Sequence, residues 1–145
     1  MSERYVSYQG PAFDFAGAAL KKSWARLHQG NLEPFPGPAK VRKAWQAYHE
    51  GGFGDAVRAG ARHGDECLLP AAFAATMYTH YLESDDKKKL QRFENAIDLA
   101  EQATEFDPES ANAYFILATA LGRYSQFINI LEALAKGIAP RVKES

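Results

Sequence analysis

A chain of 145 residues, 46% hydrophobic and 24% charged, is long enough to bury a core; its balance excludes a disordered tail or a fibre. The net charge is −1 and the one lysine run, Lys87 to Lys89, is too short to argue for nucleic acid, which is not expected as a partner; the single Cys67 excludes an internal disulfide, as expected of a reducing compartment. The charge is uneven: residues 1–64 hold 9 Lys/Arg against 5 Asp/Glu, and residues 65–145 hold 8 against 13. Such asymmetry would orient head-to-tail self-association or steer a charged partner, or it is only drift on solvated helix faces.

Met1-Ser2-Glu3-Arg4-Tyr5 leads into no uninterrupted apolar stretch, so no signal peptide is expected. The greasiest region, Ala111 to Leu131, is broken by Asn112, Arg123, Ser125, Gln126 and Asn129. It falls short of the roughly 20 apolar residues of a membrane span. These features predict a cytoplasmic protein with no membrane partner.

β-branched residues are few and apolar residues recur at three- and four-residue steps, which predicts an all-α fold. The first helix is expected from about Phe13 to Gln29, with Leu20, Trp24 and Leu27 on one face. Gly30-Asn31 stops it, and Pro34-Phe35-Pro36-Gly37-Pro38 forms a stiff connector. A second helix, Ala39 to Glu50, carries Val41, Ala44, Trp45 and Tyr48; after Gly51-Gly52 a third carries Phe53, Ala56, Val57 and Gly60. The fourth, Glu66 to Leu82, is apolar on most sides and belongs mid-stack, with Pro70 in its first turns. Ser84 or Asp85 would cap the fifth, Asp86 to Phe106, which buries Leu90, Phe93, Ala96, Ile97, Ala100 and Ala103. Lys87 to Lys89 form a solvated face. Asp107 as N-cap with Pro108 at the first helical position would open the sixth, running to about Tyr124. A seventh is expected from Gln126 to Ala135, stopped by Gly137, and an eighth begins at Ala139-Pro140.

Little in this order of residues points to catalysis, a metal or a cofactor. His28, His49, His63 and His80 include no i,i+4 pair, and one cysteine supplies no thiolate cluster. Gly51-Gly52-Phe53-Gly54 lacks the Lys-Ser/Thr ending of a phosphate loop, and Ser125 has no nucleophile elbow. Asp65-Glu66 and Asp85-Asp86 read as turn and cap residues. An echo does stand out: Trp24-Ala25-Arg26-Leu27-His28-Gln29-Gly30 and Trp45-Gln46-Ala47-Tyr48-His49-Glu50-Gly51, 21 residues apart. Each reads as a helix end closed by glycine, with a histidine near the negative end of the dipole. The two histidines converge if those ends meet.

The densest pattern is Ala96-Ile97-x-x-Ala100-x-x-Ala103-x-x-x-x-Pro108, followed by Ala113-Tyr114-x-x-Leu117-Ala118-x-x-Leu121. A weaker echo is Ala44-x-x-x-Tyr48-x-x-Gly51-Gly52-Phe53-x-x-Ala56-Val57. This order of small, large and proline positions resembles the tetratricopeptide repeat, and the whole chain is similar to bacterial tetratricopeptide-like proteins without assigned activity. The first unit departs from the pattern: Lys43 stands where Leu is usual, and its closing Ala and Pro are absent.

The resemblance implies a right-handed α-solenoid of about seven or eight helices. A single domain would divide into residues 1–37, the N-terminal helix and proline connector, and 38–145, helix pairs of which the last is incomplete. Ala96, Ala103 and Ala118 would each face an adjoining helix. The implied function is non-catalytic binding of another protein, peptide or second copy of the chain. The groove would be lined by Asn112, Phe115, Thr119 and Arg123, with Trp45 and His49 as further partner-binding residues. Phe115 and Ile116 fill the space where a carboxylate clamp would place Lys, Arg and Asn, so a more apolar groove is expected. Ile138 and Val142 would be left with little cover, which suggests self-association through that end or a longer parent chain. Two other readings are a small-ligand-binding or enzyme-accessory helical domain, with Trp45, Tyr48 and His49 lining a pocket, and a nucleic-acid binder through the positive N-terminal half.

Overall fold

Caps and breakers set the helix boundaries in the computed structural model, which describes residues 5, 6 and 8–137. Six α-helices occur among them, and no strand: α1 (Ala19–Leu27), α2 (Ala39–His49), α3 (Phe53–His63), α4 (Leu68–Tyr81), α5 (Asp86–Phe106) and α6 (Ala111–Ala135). A 3-10 turn, Asp65–Cys67, feeds α4 and leaves Pro70 in its first turn, where its missing N–H costs nothing. Asp85 caps α5 by accepting the Lys88 N–H at 2.9 Å.

The helix ends depart from the sequence expectation in three places. The first helix starts at Ala19 and not near Phe13, because Gly17 takes φ +62° and turns the chain. Asp107 does not cap α6: its carboxylate accepts the Glu109 N–H within a turn, and Ser110 caps the helix through the Ala113 N–H. The sixth and seventh helices are one, because Tyr124-Ser125-Gln126 contains no residue that stops a helix. Gly137, at φ +72°, does follow its end. The eighth helix, Ile138 and Val142 lie outside the described residues.

Each helix from α2 to α6 packs on the next, and α2 and α6 both also touch α4. α4 is therefore the central element, as its all-round apolar surface requires: Ala71, Ala72, Ala74, Ala75 and Tyr78 are buried. The hydroxyls of Thr76 and Thr79 donate back to the carbonyls of Ala72 (2.8 Å) and Ala75 (2.6 Å), so α4 is buried without orphaned polar groups. Small residues set the spacing. Gly60 of α3 lies so near Ala71 of α4 that a Cβ on the glycine would overlap the Ala71 methyl. Ala96, Ala100 and Ala103 bury the inner face of α5. Ala118 does not behave like them; it is exposed, because no described helix follows α6 to cover that side.

Candidate functional site

The two Trp-x-x-x-His segments meet. Trp24 and His28 lie one turn apart at the end of α1, and Trp45 and His49 one turn apart at the end of α2. Trp24 stacks on His28 with centroids 3.9 Å apart, and Trp45 lies nearly parallel to His49 at 5.9 Å. The pairs then cross at right angles, with Trp24 against Trp45 at 5.7 Å and His28 against His49 at 4.8 Å. Phe35 and Phe73 close the cluster. The glycines after the two histidines differ in use. Gly51 takes φ +84°, whereas after His28 the left-handed position falls to Leu32, at φ +54°.

Hydrogen bonding assigns a proton to each ring. Asn31 Oδ1 accepts the Glu33 N–H at 3.1 Å, so the oxygen of that amide is fixed in place. His28 Nδ1, 3.0 Å from the same oxygen, must then carry a hydrogen and donate. Its Nε2 is left as an acceptor, and His49 Nε2 donates to it across 2.8 Å. Two neutral rings satisfy this bond. Burial lowers both pKa values, that of His49 to about 4 with the nearby His28 adding to the effect.

The polar chain continues into α6. Asn112 Nδ2 donates to the Asn31 carbonyl (3.2 Å) and to Glu33 Oε1 (2.7 Å), and the Glu33 carbonyl accepts the Trp24 indole N–H at 2.6 Å. Asn112 therefore holds the N-terminal layer onto α6. Burial, helped by the charge of Asp107, raises the Glu33 pKa against the opposing Asn112 bond.

The residues singled out from the sequence fall into three places. Trp45 is 2% exposed and walls a cavity under the connector, while Tyr48 and His49 line a different one of about 240 Å³ with Phe13, Phe53 and Met77. One pocket shared by all three is not formed. Phe115 is 56% exposed, its ring stacked 6.4 Å from Phe73. Thr119 donates to the Phe115 carbonyl, and Arg123 to Gln126 Oε1. Thr119 and Arg123 border a shallow depression of about 230 Å³ with Ala118 and Gly122. The Arg123 charge, after burial, helps lower the pKa of His80 on α4.

One feature was missed from the sequence. Arg92 and Glu83 are buried together, Nε to Oε1 at 2.7 Å, with the guanidinium 4.1 Å from the Tyr5 ring and 5.1 Å from that of Tyr78. The available signal was position: Arg92 stands on the same stripe as Ala96, Leu99 and Ala103.

Among the described residues, no three His, Cys, Asp or Glu side chains are placed to hold a metal ion, and no helix is long and apolar enough to cross a membrane. Cys67 is fully buried, which pushes its thiol pKa up and keeps it a poor nucleophile. No protein-family model matches the chain, and neither does a curated protein or a solved structure.

Proposed function

We propose that the chain is a non-catalytic protein–protein interaction module of tetratricopeptide-like build, in which α6 is the first member of a helix pair and accepts a helix from another protein. The observation that carries this reading is the uncovered stripe Tyr114, Ala118, Leu121 on α6, at i, i+4 and i+7. Tyr114 and Leu121 are 49% and 45% exposed, with Phe115 beside them. A small residue between two large ones is the relief a neighbouring helix packs into, and a contiguous apolar strip facing water marks an interaction surface. Inside the fold α4 and α5 pack on one another, and both bury alanines.

The partner expected on this surface is an amphipathic helix, read through anchors at three- and four-residue steps. Phe115, Thr119 and Arg123 would border it on the side toward α4. The setting proposed is the cytoplasm.

Affinity capture and sedimentation test this reading with two variants, Ala118→Arg/Leu121→Glu on the stripe and Phe115→Ala/Arg123→Ala beside it. Loss of a partner by the stripe variant at unchanged melting temperature supports it. Loss of self-association instead makes a second copy the occupant. Undiminished binding by both variants overturns the surface.

A further inference from the structure

We propose that the cavity beneath the proline connector binds an organic cation, an ammonium or guanidinium group carried on an apolar stem. This goes beyond the interaction surface on α6 and does not depend on it.

The cavity holds about 340 Å³, within the size range of small-ligand sites. It lies between the connector, the starts of α2, α4 and α6, and the end of α5. Its walls are apolar and aromatic, with Phe35, Trp45 and Phe106 among them. Every charged side chain that lines it is acidic: Glu33, Asp65, Glu66 and Asp107. Among the described residues none of these carboxylates is in a salt bridge. α5 ends at this rim with no basic residue in its last turn, but α2, α4 and α6 begin beside it, so it is the carboxylates and not the helix dipoles that set the sign of the charge here.

Glu33 is preorganised for the task. Its N–H and C=O are held by Asn31 and Trp24, and Asn112 fixes Oε1, while Oε2 has no hydrogen bond among the described residues. A partly buried carboxylate with a like charge nearby gains from an arriving cation, as the raised Glu33 pKa indicates. Phe35 already attracts cations, with Lys21 Nζ 5.9 Å and the Arg42 guanidinium 6.0 Å from its centroid, and neither residue lines the cavity. An anion would meet four carboxylates here, and a neutral apolar molecule would gain nothing from them.

The cation could come from a free amine or from a basic side chain of a polypeptide, and the experiment separates them. Intrinsic fluorescence, reporting on Trp45 in the wall and Trp24 bonded to Glu33, is followed on the intact chain with three probes. These are phenethylammonium, its neutral isostere phenylethanol, and a peptide of N-acetyl-lysine methylamide type. The expected result is saturable binding of a cationic probe, roughly tenfold tighter than the neutral one. Glu33→Gln, which keeps the acceptor for Asn112, should weaken the cation by a similar factor and leave phenylethanol unchanged. Asp107→Asn should act in the same direction from the exposed rim. Binding of phenethylammonium alone assigns a small amine, and binding of the lysine probe assigns a polypeptide side chain. Equal affinity for phenylethanol, indifference to both substitutions, or no saturable response to either cation overturns the proposal.

Discussion

Between His28 Nε2 and His49 Nε2 there is one hydrogen, and it belongs to His49 because Asn31 has already fixed the other ring. A second proton on either ring would put charge into a buried space walled by tryptophan, and at His49 the neighbouring His28 adds to that penalty. Both pKa values are accordingly lowered in the folded chain, that of His49 to about 4, while in the unfolded chain each histidine titrates near the ordinary value of about 6.5. Below about pH 6.5 the unfolded state then binds more protons than the folded one, so stability falls as the solution is acidified toward pH 4. His80, also lowered, contributes with the same sign. Allowing for partial exposure, chemical denaturation should show a loss of about 1–2 kcal/mol between pH 6.5 and 4.5. His49→Gln, whose amide can still donate to His28, should flatten that slope. An unchanged slope would mean that the histidine pair does not govern the acid limb. The convergence of these rings was legible from the Trp-x-x-x-His echo only as a condition, because nothing local says that two helix ends meet.

At the level of elements, close approach is arranged by small residues and fixed by one buried ion pair. Gly60→Ala should destabilise by about 1–3 kcal/mol, since the new methyl must displace Ala71 and the facing helix with it. Urea denaturation measures this, and a neutral result would show that α3 and α4 can slide apart at no cost. Arg92 ties α5 to Glu83 at the end of α4, and Glu83 also accepts the Asp85 N–H at the cap of α5. Arg92→Met strands a carboxylate that is 6% exposed and should cost about 3–5 kcal/mol; adding Glu83→Gln should recover part of it. Helices α2 and α5 stand close to where the sequence places them, because Pro38, Gly51, Asp85 and Asp107-Pro108 punctuate the chain within a turn of each end. α6 was misread as two helices for lack of any punctuation to read: Ser125 and Gln126 are compatible with either state, and packing on Phe93 through Tyr124 and Phe127 keeps the helix continuous.

For the molecule as a whole, burial is graded outward from α4. Native-state hydrogen exchange should therefore find the slowest amides between Ala71 and Thr79 and the fastest in α1 and the last turns of α6, where Ile130 and Leu134 are 57% and 51% exposed. Trp24→Ala should speed exchange in α1 far more than in α4. That outcome would mark the N-terminal helix and connector as a layer held by Trp24, His28 and the Asn112 bonds, and equal acceleration in both would make it an integral part of the core. The distinction bears on function: that layer roofs the acidic cavity, while α6 keeps its outer stripe free on the other side of the same helix.

Helical class, the central place of α4 and the ends of α2 and α5 could all be read from the order of residues. Periodicity, capping and chain breaking act over a few positions and favour one local geometry. The proton order in the histidine pair, the capture of Glu33 by Asn112 from 79 residues away, the gathering of four carboxylates at one cavity and the exposure of Ala118 could not be read that way. Each depends on which surfaces lie opposite one another after all the helices have packed. Many weak apolar contacts acting together make that choice, and no single stretch of chain contains it.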